Sequence, residues 1–404
     1  MGLVSHPATV SLNTAEDASE RALPNTQALA GRAVPWYIWC SAAAVTSVMV
    51  GGYWDISWHM SIGRDTFWTP AHLLIYLCGI LAGISCGSLI FSTTWNRQSA
   101  LHAAAVTVWG FRAPLGAFIA VWGSVAMLAS APFDNWWHNA YGLDVKILSP
   151  PHAALDTGIL AVEVGALVLT AGAMNRAEGP LRRKLMVLFL YLGGMMVMLA
   201  LTVVWDSTYR VSLHSSRAYV AVAALVPLVI FGIARASSRR WALTIVTGVY
   251  SVYAALMMWI LPLFPAQPKL GPVYQPITHY VPLDFPLLVI VPAFVIDCLW
   301  SHVSGWSKGP QALALGTLFV AAFLAAEWPF ADFLMAPASR NWVFGTSYFP
   351  YMMRPNAHAV QHTFYYTDPT AAAFWLGIAQ SVVLAIAGTR LGMAWGDWMR
   401  RVKR

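Results

Sequence analysis

The sequence predicts an all-α polytopic membrane protein with about ten transmembrane helices. Three observations carry that expectation. The 404-residue chain is 58% hydrophobic and only 10% charged, where soluble domains carry about 25% charged residues. Apolar runs of about 20 residues recur along it, the length a helix needs to cross a bilayer. The runs do not alternate apolar with polar residues, as a transmembrane barrel would require.

The elements follow in chain order. Residues 1–34 are polar and poor in aromatics, which predicts a disordered cytoplasmic tail. They lack the basic start and short apolar core of a cleaved signal peptide. Ten spans are expected near 36–53, 72–92, 104–130, 152–173, 184–205, 217–234, 241–262, 284–302, 311–327 and 370–390. No linker sets off a soluble domain. Residues 328–369, with Trp328, Trp342 and the motif HAVQH (358–362), read as a long outer loop that caps a site or docks a partner. The four cysteines, Cys40, Cys78, Cys86 and Cys298, are scattered without a CxxC pair and read as small core residues.

Ten spans put both termini on one side. The loops on that side hold most of the 24 Lys and Arg, anchored by RAEGPLRRK (176–184) and RASSRR (235–240). The positive-inside rule then makes both termini cytoplasmic. His59, His72, His138, His152, His214, His279, His358 and His362 fall on the opposite face, so the chemistry is expected there. The expected location is a cell inner membrane, with the site on the periplasmic or outer face. The lipid bilayer is the expected partner, and no nucleic acid is expected.

That face carries one polar sentence written twice. The first copy is WDISWHMSIGRDTFWTPAH, from Trp54 to His72. The second is FDNWWHNAYGLDVKILSPPH, from Phe133 to His152. Asp55 matches Asp134, His59 matches His138, Gly63 matches Gly142, Asp65 matches Asp144, and His72 matches His152. Thr69-Pro70 and Ser149-Pro150 also correspond, with one extra residue in the second copy. Asp and His four apart share a face of a helical turn. Thr-Pro and Ser-Pro read as an N-cap followed by proline at the first helical position, which puts His72 and His152 in the first turn of the next helix. Gly63 and Gly142 let the intervening loop turn back. Each copy therefore brings one carboxylate and two imidazoles together where two helices meet.

Two histidines and a carboxylate with open positions suit copper, zinc or iron(II). A polar cluster bonded to loop backbone is the alternative. Ionisable residues at membrane depth are costly and usually functional. Asp65 and Asp144 are candidates to orient a histidine, or else cap turns or pair with Arg64 and Lys146. Asp156, four after His152, could orient it along the helix face. Glu163 lies deeper in the same span, and Arg112 and Asp297 are also expected within spans. Each of these is a proton-relay candidate or an interhelical polar contact. The histidines of HAVQH read as a solvated pair. Trp54, Trp58, Trp68, Trp136 and Trp137 wall the site or form the interfacial aromatic belt.

At these residues the chain resembles the C subunit of the copper membrane monooxygenases, the methane and ammonia oxidisers. That subunit carries an Asp-x3-His-x12-His metal site, and DISWHMSIGRDTFWTPAH repeats its spacing. A second family site, Asn-x3-His-x13-His, is matched in spacing by Asp134, His138 and His152, with Asp in the Asn position. The resemblance covers roughly residues 35–235, leaving 236–404 as additional membrane helices with the long outer loop. It implies copper held by Asp55, His59 and His72 at one centre and by Asp134, His138 and His152 at the other. It further implies A- and B-type partner subunits, a quinol or other electron donor, and O2-dependent oxidation of methane, ammonia or a short alkane. Two departures stand out. Asp134 adds negative charge where the family has an amide, and about four spans extend beyond a usual C subunit. No cupredoxin-like sequence is present. A membrane metal-handling or transport protein, or a structural subunit with non-catalytic metals, is the competing expectation.

Overall fold

A computed structural model describes residues 33–142 and 149–403. The expected tail lies almost wholly outside the described residues, as does Asp144. The chain is mainly helical. It opens with α1 (Trp36–Ser61), α2 (Pro70–Trp95) and a single turn, α3 (Ala100–Ala103). A small antiparallel hairpin of β1 (Val106–Val108) and β2 (Phe111–Ala113) follows. Then come α4 (Leu115–Tyr141), α5 (Pro150–Arg176), α6 (Gly179–Val203), the turn α7 (Trp205–Thr208), α8 (Ser216–Ser237), α9 (Ala242–Ile260) and α10 (Ile290–Val303). The chain ends through α11 (Lys308–Met335), the turn α12 (His358–Gln361) and α13 (Ala371–Met399).

Every expected span falls on a helix. Among the described residues, eight of these helices are long and apolar enough to cross a membrane: α2, α4, α5, α6, α8, α9, α11 and α13. By length and composition the chain is a multi-pass membrane protein. The other two expected spans fall short of that standard. α10 has 14 residues, about 21 Å at 1.5 Å per residue, against a hydrocarbon core of about 30 Å. α1 has 26 residues, but its last turns carry Asp55 and His59.

Three boundaries differ from expectation, each for a local reason. The third span does not start at 104. Val108 pairs with Phe111, and the intervening Trp109 and Gly110 both take positive φ, 49° and 85°. That is the two-residue reverse turn of a tight hairpin. Arg112 therefore lies in β2 and not inside a span. His102 Nδ1 donates to Thr93 O at 2.7 Å, so its Nε2 accepts from Arg112 Nη1 at 2.9 Å. These bonds tie β2 to α3 and to the end of α2. The eighth span starts at Ile290 because the preceding amides find side-chain acceptors. Leu287 N donates to the Tyr250 hydroxyl and Leu288 N to Glu327 Oε2, at 3.0 and 2.8 Å. α11 continues through Pro329 to Met335, so the outer loop begins after 335, not at 328. Phe330 and Phe333 hold that extension against Phe344.

Hydrogen bonds sort the helix ends into two groups. At one end, Asn175 Nδ2 donates to Met399 O and Val402 O, each at 2.8 Å, and Asp397 pairs with Arg235 and Lys308. The end of α13 thus lies against the α5–α6 turn. At the other end, loops from the distal half strap the end of α1. Ser57 Oγ donates to Val281 O at 2.6 Å, and Val281 N donates to Ser61 Oγ at 2.7 Å. Lys269 N donates to Ile62 O and Tyr351 N to Met60 O. Beside them Arg210, buried, holds Asp284 through its backbone N–H and Nη1, both at 2.9 Å. Burial pushes the Asp284 carboxyl above its ordinary value, and Arg210 pulls it part of the way back.

The α4–α5 pair is closely packed because glycines face each other across it. A Cβ on Gly123 would stand 2.6 Å from Gly158 O, and one on Gly158 would stand 2.8 Å from Gly123 O. Small residues let membrane helices approach to backbone contact, where dispersion and packing replace the hydrophobic drive that lipid cannot supply. This pair carries the second copy of the repeated segment at its end.

Candidate metal centre

The two copies fold alike. Asp55 and His59 occupy the last turns of α1, and Asp134 and His138 the last turns of α4. Gly63 and Gly142 then take positive φ, 82° and 103°, a conformation that a side chain would strain. Thr69 and Ser149 are the N-caps of α2 and α5, each followed by proline. Ser149 Oγ accepts from His152 N at 3.4 Å. Thr69 Oγ1 instead accepts from Thr66 N at 2.8 Å, and Trp58 Nε1 donates to Arg64 O at 2.9 Å. The first loop is therefore braced by its own side chains.

In the first copy, His72 Nε2 stands 3.1 Å from Asp55 Oδ1 and 3.4 Å from Asp65 Oδ2. His59 Nε2 stands 3.8 Å from Asp55 Oδ2 and 3.6 Å from Asp65 Oδ2. Asp65 therefore lies beside both imidazoles, in a two-carboxylate, two-imidazole cluster, but the donor atoms of Asp55, His59 and His72 do not all close to within 4.8 Å of one another. In the second copy, Asp134 bridges the imidazoles, with Oδ2 3.3 Å from His138 Nε2 and Oδ1 3.4 Å from His152 Nε2. One ligand atom from each of Asp134, His138 and His152 lies within 4.8 Å of the others.

The histidine tautomers follow from their partners. Thr66 O can only accept, so His72 Nδ1 carries a proton and donates to it at 2.9 Å. His138 Nδ1 donates in the same way to Gly142 O at 3.3 Å. In a neutral imidazole so held, Nε2 presents a lone pair. Both Nε2 atoms face carboxylate oxygens, an arrangement met either by a second proton on the imidazole, donated to the carboxylate, or by a metal ion between the two groups. Asp134 Oδ1 is buried and accepts no hydrogen bond, which leaves lone pairs for a metal ion; Asp55 Oδ1, 3.1 Å from His72 Nε2, can also take a proton from it. The donor set of imidazole and carboxylate suits copper, zinc or iron. A backbone carbonyl holding the far nitrogen of a ligating histidine is the usual support of a metal site.

The two clusters are neighbours. Asp55 lies within electrostatic reach of His152, and the Tyr76 hydroxyl within reach of Asp55, Asp65 and Asp134. Tyr76, one turn beyond His72, places its ring centroid 6.1 Å from that imidazole. Tyr76 was not legible as part of the site, whereas Asp65, expected from the sequence to orient a histidine, stands beside both imidazoles. The Gly-x-Asp step shared by both copies was the available signal for Asp65.

The remaining candidates lie elsewhere. Asp156 is exposed on α5, one turn past His152 and within its electrostatic reach. Glu163 is buried, with neither carboxyl oxygen partnered, about 16 Å farther along the helix than His152. Asp297 accepts from Thr244 N and Thr244 Oγ1, both at 2.8 Å, and so caps the start of α9. In HAVQH, His358 Nδ1 bonds Thr363 Oγ1, and His362 turns its ring toward Phe349. His214 is stacked between Trp328 and Phe364, with centroids 3.9 and 3.7 Å away.

Comparison with known protein families, with curated proteins and with solved structures gives no match to this chain.

Proposed function

We propose that this protein is a metal-binding integral membrane subunit of a copper monooxygenase, which oxidises a small substrate such as methane, ammonia or a short alkane with O2. The observation that carries the metal assignment is the convergence of Asp134, His138 and His152, one ligand atom of each within 4.8 Å of the others, with Asp134 Oδ1 buried and accepting no hydrogen bond. The resemblance of the two segments to the C subunit supports copper and the reaction class. Copper bound there would supply O2 activation. Asp55, Asp65, His59 and His72 would hold one ion; Asp134, His138 and His152 would hold the other. Asp65 gives the first centre a second negative charge, which favours a divalent ion over a monovalent one. Thr66 O and Gly142 O keep the imidazoles in the ligating tautomer. A- and B-type subunits and a quinol donor complete the reading, with the centres on the periplasmic face.

The test is elemental analysis of protein purified from membranes, with O2-dependent oxidation of methane and ammonia assayed in the same membranes. His59→Ala and His138→Ala should each lose the ion of their own cluster, and the double variant both. Unchanged metal content in the double variant ends the ligand assignment. Metal retained without O2-dependent turnover reduces the protein to a metal-handling or structural role.

A further inference from the structure

Away from both clusters, a groove of about 670 Å³ lies between α1, α2, α6 and α9. That is within the range of small-molecule sites. Its lining is almost entirely apolar, and Trp39, Leu77 and Val187 on its rim are exposed, so it opens on the lipid-facing flank. Inside it runs a chain of three hydroxyls. Thr46 Oγ1 donates to Ala42 O at 2.7 Å, since a carbonyl can only accept. Thr46 has one proton, so in its 2.5 Å contact with Tyr191 the tyrosine is the donor. Tyr191 has then used its own proton, so in the 2.9 Å contact between the tyrosines Tyr253 is the donor. The direction of the whole chain is fixed by its first link.

The consequence is chemical. All three protons point into the chain, and the tyrosine end presents only lone pairs to the groove. Ser47 Oγ also spends its proton, on Leu74 O. Trp39, the N–H bearing side chain of the lining, is attached about 10 Å along α1 from Thr46 and is exposed at the rim. An apolar guest with a carbonyl finds no donor beside the tyrosines; a guest with a hydroxyl finds an acceptor. We infer that this groove binds a lipid-soluble, hydroxyl-bearing apolar molecule that donates to Tyr253, and that it discriminates against the corresponding carbonyl compound. Two sources share that chemistry, an aliphatic alcohol and a hydroquinone. The inference does not depend on a metal at either cluster.

The experiment uses the full chain in detergent or nanodiscs, without added metal. A diazirine-tagged dodecanol is photolysed and its adducts are mapped by mass spectrometry, with 1-dodecanol, 2-dodecanone, duroquinol and duroquinone as competitors. Adducts should fall on groove residues of α1, α6 or α9. Dodecanol should compete at about tenfold lower concentration than dodecanone, the size of one hydrogen bond. Competition by duroquinol but not duroquinone extends the guest to hydroquinones, and competition by dodecanol alone restricts it to alcohols. Tyr191→Phe frees the Tyr253 proton and should reverse the preference toward dodecanone. Tyr253→Phe removes the terminal acceptor and should weaken the preference. Thermal melts identify any variant that has not folded. Adducts only outside the groove, equal competition by dodecanol and dodecanone in the parent protein, or an unaltered preference in both folded variants overturns the inference.

Discussion

A single hydrogen bond decides what each key histidine can do. Nδ1 of His72 and of His138 is committed to a backbone carbonyl, which leaves Nε2 as the working nitrogen. The meeting of carboxylate and imidazole was implicit in the sequence, because Asp-x3-His places the two on one helical face; the Nδ1 bonds were not, because Thr66 O and Gly142 O are backbone atoms placed by the loops. For Asp65 the sequence left open whether it orients a histidine, caps a turn or pairs with Arg64, because the outcome depends on a loop braced by Trp58 and Thr69 through bonds to Arg64 and Thr66. His362 shows the opposite situation. Burial, with Arg340 and Arg210 nearby, holds it below the ordinary histidine value. The unfolded chain takes up a proton near pH 6.5, while the folded one does so only at lower pH. Its contribution is therefore full above that pH and is lost as the solution is acidified below it. Melting temperatures measured from about pH 8 to about pH 5 should fall less steeply in His362→Gln than in the parent protein. Parallel curves would remove His362 from the acid response.

Among the elements, the α4–α5 pair sets the geometry of the second cluster. Gly158→Leu would add a side chain where even a Cβ lies 2.7 Å from Met127 Cγ and 2.8 Å from Gly123 O. The helices must separate, at a cost of about 1–3 kcal/mol. This variant should melt earlier, and elemental analysis should show loss of the ion at Asp134, His138 and His152 with that at the first cluster retained. Equal loss from both would mean that the pair supports the whole bundle and not one site. The helices themselves were legible as apolar runs of sufficient length. The β1–β2 hairpin was not: Val106–Val108 is apolar enough to join a helix, and only the reversed backbone of Trp109 and Gly110 shows otherwise. The start of α10 was hidden for a different reason, since its preceding amides are satisfied by Tyr250 and Glu327, which are distant in sequence.

At the scale of the molecule, both clusters lie at the end of the bundle opposite the basic α5–α6 turn. The positive-inside expectation puts that turn in the cytoplasm. In a Cys298→Ser background, an impermeant maleimide applied to intact spheroplasts should label Lys269→Cys. Arg239→Cys should react only after lysis. The reverse pattern would put the clusters on the cytoplasmic side. The straps on α1 have a consequence for the duplication itself. Met60, Ser61 and Ile62 are tied to Tyr351, Val281 and Lys269, while among the described residues no hydrogen bond from the distal half reaches Asp134 or His138. Copies alike in wording thus inherit unequal mechanical surroundings: a displacement of the loops from the distal half pulls directly on the end of α1 and so on the first cluster, whereas the second is held chiefly by the packing of α4 against α5.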